Sequence, residues 1–496
     1  MSWLVKFTMG GLEILSSLFV VAIGLGVLAI VILFILDKIQ KQDAVRHNFP
    51  VIGRFRSLFI HLGEFFRQYF FAMDREEMPF NRAEREWIKE AAQGKSGSEP
   101  FGSTKSTATP GTTIFVPANF PKLDEETCAC PPVIFGPATA HPFAAQSLIN
   151  ISAMSYGALS KPAIQALSRG AAAANCWLNT GEGGLSPWHL ESGCDLIFQL
   201  GTAKYGARDK SGRFSADVFK QNAGQPQVKM IELKLAQGAK PGKGGILPGV
   251  KVSQEIAMIR GIEPGQDSIS PNRHREIESF GEMLDFVSKL RQLSGKPVGL
   301  KTVFGDRSWL DGLCTEIKRR GEESAPDFIT LDGGDGGTGA APLALMDNVG
   351  LTLKESLPML VDGLQEYGLR DRIKVICAGK LVTPADVAWA YCVGADAVNT
   401  ARGFLFSIGC IQSMRCHTNQ CPTGVTTHDK NLQSGLDPEV KAENVTQFVS
   451  RMKTDVNVIA HSCGVPHARA LQRKHVRIVQ PDGHSIGLDK INPYTE

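Results

Sequence analysis

The 496-residue sequence has almost no charge imbalance: 53 Lys and Arg stand against 50 Asp and Glu, a formal net charge of +3. So even a balance excludes the basic surface by which proteins hold nucleic acid. Its eleven cysteines lack the close, even-numbered spacing of a secreted disulfide scaffold, which points to a reducing compartment. No internal repeat of convincing period is present. One stretch lacks charge altogether. Residues 14–36 form an aliphatic run of 23 residues, roughly 35 Å as a helix at about 1.5 Å per residue, against a bilayer core of roughly 30 Å. The run is longer than a signal-peptide core of about 7–15 residues and ends in Asp37-Lys38 instead of small residues. A soluble core helix would carry charges on its outer face. The run therefore reads as a single-pass membrane anchor over residues 1–37. Only Lys6 precedes it, whereas Lys38, Lys41, Arg46, Arg54 and Arg56 follow, so the positive-inside rule puts the bulk of the chain in the cytoplasm.

Residues 56–73 set Phe59, Phe65, Phe66, Tyr69, Phe70 and Phe71 among charges. This pattern suits an in-plane interfacial helix and equally a helix packed on the body of the protein. A Gly/Ser/Thr-rich stretch at 94–113 reads as a linker; residues 38–112 are thus a membrane-proximal helical segment and linker. Beyond it, apolar runs of strand length alternate with helix-sized segments. The candidate strands are 148–154, 177–180, 196–200, 230–235, 298–303, 328–331, 373–377 and 397–400. Eight such βα units predict an α/β fold, a (β/α)8 TIM barrel over residues 113–430, with an open doubly wound sheet as the rival. A helical cap over 431–496 completes the expected order, its periodicity strongest at 438–471.

Polar and glycine-rich motifs follow these strands, where such barrels carry their active sites. They are Ser155-Tyr156-Gly157, Gly181-Glu182-Gly183-Gly184, Gly238-Ala239-Lys240, the run from Gly333 to Gly339, Gly379-Lys380 and Arg402-Gly403. The run Gly334 to Gly339 matches G-x-G-x-x-G, yet it lies late in the chain and Ala341-Pro342 follows it. A dinucleotide site wants this pattern early and opening a helix. An anion-cradling loop, acting with the Gly379-Lys380 and Arg402-Gly403 loops, is the better reading. Lys234, Gln237 and Lys240 end a strand with cation, amide and cation, which suits a carboxylate-bearing substrate. Glu182 is a candidate general acid/base or a partner that orients a lysine. Cys410, Cys416 and Cys421 are spaced C-x5-C-x4-C and end in Cys-Pro, suited to an iron–sulfur cluster. Zinc with His417 or His428 as a further ligand, and plain buried thiols, are the rivals. The other eight cysteines, Cys128 and Cys130 included, read as small buried hydrophobes.

Six ordered motifs within residues 130–430 together resemble the FMN-binding synthase domain of glutamate synthase. They are residues 150–160 (Asn-Ile-Ser-Ala-Met-Ser-Tyr-Gly-Ala-Leu-Ser), Asn179 to Gly184, Lys234 to Pro241, Gly336 to Ala340, Gly368 to Arg372 and Gly409 to Gly424. The resemblance implies FMN bound in the barrel, with Met154, Ser155, Lys301, Gly336, Gly337, Thr338, Gly339, Gly379, Lys380, Arg402 and Gly403 around it. Lys301 would lie at the flavin's N1/O2 edge. It also implies a 3Fe–4S cluster on Cys410, Cys416 and Cys421. Lys234, Gln237 and Lys240 would face 2-oxoglutarate or its imine, with Glu182 nearby. The implied activity is a glutamate synthase-like oxidoreductase acting on CH–NH2 donors, with 2-oxoglutarate and ammonia or an amine as substrates. A ferredoxin-like or reductase partner would supply electrons through the cluster.

The chain also departs from that family. Its first cysteine is Cys128, so the N-terminal glutaminase nucleophile of the long enzymes is missing. The 75 residues after Cys421 are too few for their β-helical domain. Lys243 stands where the family commonly has Glu, which leaves substrate identity open. Two alternatives follow: a membrane-attached flavin and iron–sulfur electron-transfer subunit, or an imine reductase for an N-substituted glutamate or another 2-oxo acid. An FMN-dependent 2-hydroxy-acid oxidase would need a His–Arg pair, for which His274 and Arg273 are the nearest residues.

Overall fold

The computed structural model describes residues 3–95, 97, 98 and 100–494; the expected anchor and linker thus include Met1, Ser2, Ser96 and Glu99, which lie outside the described residues. The chain divides into two compact units, Met1–Ala83 and Glu84–Glu496.

In the second unit eight parallel strands close on themselves. In chain order they are β1 (Ile149–Ile151), β2 (Leu178–Asn179), β3 (Leu196–Leu200), β4 (Val228–Lys234), β5 (Val298–Thr302), β6 (Phe328–Asp332), β7 (Lys374–Ala378) and β8 (Ala397–Thr400). Each follows its neighbour around the ring, and β8 pairs with β1 to seal it. The fold is the eight-stranded α/β barrel the alternation of apolar runs predicts, and the open sheet is excluded. Strands β3, β5 and β6 are buried at every position, as expected where helices cover the outside and side chains fill the inside.

The N-terminal end of the barrel is plugged by an antiparallel hairpin, Val133–Phe135 with Phe143–Ala145. Phe135 inserts edge-on between Trp177 and Phe328, with ring centroids 5.9 and 5.7 Å away. Ile197, Met230, Ile376 and Ala397 complete this apolar floor. Gly299 makes room for it, since a Cβ there would sit 2.3 Å from the Phe328 ring. With this end closed, only the C-terminal strand tips are left for chemistry.

The segment after the barrel begins with a long helix, Pro438–Ser462, capped by Asp437. It packs on the helix Lys161–Ala174, where a side chain on Gly170 would collide with Val445. The tail is not helical throughout. Val476–Val479 pairs with both Thr113–Phe115 and Ser485–Gly487 in a three-stranded antiparallel sheet.

The first unit holds α1 (Trp3–Ile39), α2 (Ala44–Asn48) and α3 (Ile52–Phe66), the last continued by a π-helical turn, Arg67–Phe71. Within α1, Phe7–Ile39 is long and apolar enough to cross a membrane, and none of its most apolar window is buried.

Candidate active site at the strand tips

The site is organised around two lysines in register. Lys234 at the end of β4 pairs with Lys301 on the neighbouring strand β5, so two ammonium groups share one level of a buried barrel. Unpaired charges there would be strongly disfavoured, and each has its own carboxylate. Lys234 Nζ donates to Glu182 Oε1 at 2.9 Å and to Gln237 Oε1 at 2.9 Å. Lys301 Nζ lies 3.5 Å from Asp332 Oδ2. Burial acts to lower the Lys301 pKa, but Asp332 and Glu232 outweigh it, and the group is held above its ordinary value.

Glu182 projects from the turn Gly181–Gly183 that follows β2. Gly181 adopts φ +66°, and a Cβ there would lie 2.7 Å from the Ser155 backbone nitrogen. Only glycine lets these two loops approach so closely. Lys240 Nζ reaches the same carboxylate, 3.8 Å from Glu182 Oε1. Burial pushes Glu182 up, yet the ammonium groups of Lys234 and Lys240, the Lys234 hydrogen bond and Arg260 hold it down at about 2. Lys240 is drawn the other way. Burial, with Lys234 adding to it, lowers Lys240 to about 8, against the opposing pull of Glu182. Lys234, Gln237, Lys240 and Glu182 are thus brought together. Glu182 is held as an anion there, between the two lysines.

Below this level lies a polar layer that the sequence reading missed. Glu232, two residues before Lys234 and on the same face of β4, is fully buried. It accepts from Asn179 Nδ2 (2.8 Å), Gln199 Nε2 (2.6 Å) and Thr330 Oγ1 (2.6 Å), on three other strands. Asn150 Nδ2 and Gln199 Oε1 are buried with no protein partner, leaving one donor and one acceptor for a bound group. Asp332 ties the two sides of the site together, since it also accepts from the Gly238 N–H at 3.0 Å. The one signal for Glu232 was the alternation in Met-Ile-Glu-Leu-Lys (230–234), two charges at period two in an apolar strand.

The three glycine-bearing loops expected to act together do meet. A Cβ on Gly379, itself at φ +135°, would lie 3.2 Å from the Gly333 nitrogen. Arg402 Nη2 donates to the Thr338 carbonyl at 3.3 Å, and Gly337 faces the same guanidinium. Gly403 caps back onto Thr400 Oγ1, and Lys380 takes a left-handed φ of +50°. Met154 and Ser155 form the β1 loop, where the Met154 carbonyl contacts His189 Nε2 at 3.0 Å. Bare glycine backbone with an arginine and a lysine is the chemistry of a phosphate cradle, and the polar layer beside it leaves flat polar groups for a heterocycle. The residues present fit FMN.

Gly339 borders the three-cysteine loop, since a Cβ there would lie 3.5 Å from Cys416 Cβ. Burial raises the Cys410 thiol, and neighbouring Cys416 and Cys421 raise it further. Burial opposes ionisation of Cys421 too, but hydrogen bonds from Thr423 and Thr426 bring it below the usual thiol value. Lys251, buried, donates to the carbonyls of Ala158 (2.9 Å) and Cys416 (3.1 Å), a cation beside this loop. Among the described residues no three His, Cys, Asp or Glu stand close enough to hold a metal ion. His428 is spent elsewhere, its Nε2 against the Gly157 carbonyl at 2.8 Å. Of the remaining cysteines, Cys176, Cys194, Cys314, Cys377, Cys392 and Cys463 are buried as expected, but Cys128 is exposed and Cys130 half-buried. Both lie in irregular chain before the plug hairpin, which no periodicity could have placed.

His274 and Arg273 do not form a pair. The His274 Nε2 contacts the Lys234 carbonyl at 2.9 Å, and burial holds the ring neutral with a pKa of about 4. Arg273 turns outward to Glu278.

Comparison with known proteins gives the following matches. The family model described as a conserved region in glutamate synthase matches residues 107–466. The glutamate synthase large subunit-like protein YerD of Bacillus subtilis (strain 168) is 39% identical over 515 residues, covering 95% of this chain and 97% of that protein. The archaeal-type NADPH glutamate synthase of Dehalococcoides mccartyi is 32% identical over 331 residues, covering 66% of this chain and 63% of its own length. This chain therefore spans less than two thirds of that relative. A variant flavocytochrome b2 with benzoylformate aligns over 84% of each chain at 13% identity, with a TM-score of 0.48.

Proposed function

The chain belongs to the glutamate synthase family, and from that premise we propose that it reduces the imine of 2-oxoglutarate and ammonia to L-glutamate. The observation that carries this reading is the convergence of Lys234, Gln237, Lys240 and Glu182 on one strand tip. Two ammonium groups around one carboxylate leave a local positive charge beside Glu182, which matches a carboxylate-bearing substrate. An electron relay has no use for them.

In this reading Lys234 and Gln237 bind and orient the substrate carboxylates. Lys240, at about 8, is charged near neutrality yet gives up a proton readily, as a general acid must. It donates the proton that the imine nitrogen takes up while the imine carbon receives the hydride. Glu182 stays ionised throughout and fixes both lysines. FMN, held by Met154, Ser155, Gly336, Gly337, Thr338, Gly339, Gly379, Lys380, Arg402 and Gly403, would supply the hydride. Lys301, kept charged by its acidic neighbours, provides the cation that a reduced anionic flavin edge requires. The C-x5-C-x4-C spacing of Cys410, Cys416 and Cys421, with buried Lys251 beside their loop, supports a 3Fe–4S cluster on these thiols. Such a cluster would pass on single electrons from a ferredoxin-like or reductase partner.

Membrane attachment belongs to the same proposal. The most apolar window of the helix is unburied, and Asp37 near its end is tied to Arg46 and Arg54 beyond it. A segment destined for removal has no need of that tie. The anchor would hold the catalytic unit on the cytoplasmic face.

The test is a titration of detergent-purified protein with 2-oxoglutarate, followed by the flavin absorption spectrum. Wild-type protein should be yellow and its spectrum should shift on titration. Lys234→Met should keep the flavin and lose the shift. Colourless protein, or a spectrum indifferent to 2-oxoglutarate in both proteins, would overturn the reading.

A further inference from the structure

We propose that α3 and the π-helical turn after it lie in the plane of the membrane surface. Their apolar face would rest on acyl chains and their cations on anionic headgroups, so that the chain grips the bilayer through two elements. The inference rests on the reading of α1 as an anchor and adds a lipid-binding surface to it.

The first observation is the composition of one face. Phe55, Leu58, Phe59, Leu62, Phe65 and Phe66 recur at spacings of three and four, which puts them on one side of a helix. Arg56, Ser57 and His61 take the other side, interrupted by one apolar residue, Ile60. The apolar face is unpartnered: Phe55 is 50% exposed, Phe59 65% and Phe65 55%. In the following turn Tyr69, Phe70 and Phe71 are exposed as well. A contiguous aromatic surface of this kind is disfavoured in water and marks an interaction site.

The second observation fixes its depth. The Asp37 carboxylate, in the last turns of α1, is completely buried. It accepts from Arg46 Nη2 at 2.8 Å, from Arg54 Nε and Nη2 at 2.8 Å each, and from the Val51 backbone N–H at 3.0 Å. Arg54 lies in the first turn of α3. The end of α1 and the beginning of α3 are therefore one knot. Gly53 lets the start of α3 close on α2 beside this knot, since a Cβ there would lie 3.0 Å from the backbone of Val45 and Arg46. A helix that starts where a membrane-spanning helix ends starts at the headgroup level, where an amphipathic aromatic face is most stable.

Charge is the third. Arg46 and Arg54 are engaged with Asp37, but Lys38, Lys41, Arg56 and Arg67 fall in the same short segment. Clustered basic residues next to a span are drawn to anionic leaflets. A bilayer satisfies the apolar face and the cations together, whereas a second copy of the chain would bring its own cations against them.

The test places the photo-crosslinker benzoylphenylalanine at Val20, Ser57, Phe59 or Phe66 of the full chain. Each protein is reconstituted in vesicles of phosphatidylcholine with phosphatidylglycerol, irradiated, and its peptides weighed. The account expects acyl-chain adducts at 20, 59 and 66, with yields several-fold higher at 59 and 66 than at 57. Vesicles of phosphatidylcholine alone should lower the yield at 59 and 66 and leave 20 unchanged. Adducts at 20 together with protein cross-links at 59 and 66 would overturn the in-plane helix and leave the anchor standing. Absence of lipid adducts at 20 would overturn the anchor, and this inference with it.

Discussion

In the proposed reaction Lys240, with Glu182 beside it, sets the pH behaviour of the site. A general acid must be protonated to act, so activity should fall as pH rises through about 8, the Lys240 value. Glu182 raises that value, so Glu182→Gln should move the descending limb of the kcat/KM profile to lower pH. An unmoved limb would mean another group gives the proton. Lys240→Met should cost about 10²- to 10⁴-fold in rate while FMN content stays unchanged. Beneath them, Glu232→Leu would leave Asn179, Gln199 and Thr330 without their acceptor, at about 1–3 kcal/mol for each orphaned group. Thermal unfolding should show a large drop in Tm for Glu232→Leu and a much smaller one for Glu232→Gln. At this scale the sequence was legible where a polar residue ends an apolar strand, as at Lys234, and further polar residues follow in the loop, as at Gln237 and Lys240. Glu232 and Asp332 were not, because their partners lie on strands far away in the chain and meet them only when the barrel closes.

At the scale of elements, the ends of each of the eight strands lie within three residues of those of an apolar run visible in the sequence. Such runs carry the signal because a strand buried on both faces must be apolar nearly throughout. The plug hairpin was invisible for the opposite reason: three residues per strand give no period to read. Its weight in the fold is testable. Phe135 fills the space between Trp177 and Phe328, and truncating a buried aromatic costs about 3–5 kcal/mol. Phe135→Ala should therefore lower Tm markedly and leave the pH profile of the remaining folded enzyme unchanged, since the plug and the site lie at opposite ends of the barrel. The terminal strands Val476–Val479 and Ser485–Gly487, beyond the helical periodicity of 438–471, escaped for the same lack of length.

For the molecule as a whole, the sequence divides into an apolar, cation-flanked beginning and a glycine-rich catalytic remainder. Those two characters were plain from composition, whereas the knot at Asp37 needed three helices in place. An alkaline carbonate wash should leave the full chain in the membrane pellet, and its release would contradict a spanning α1. The central claim is that the strand-tip lysines serve an imine reduction. Its most direct measurement is the anaerobic reoxidation of fully reduced protein, followed at the flavin band with 2-oxoglutarate and ammonia added separately and together. The account predicts rapid reoxidation only with both present, with one L-glutamate formed per flavin reoxidised. Reoxidation at the same rate without either compound, or none with both, would contradict it.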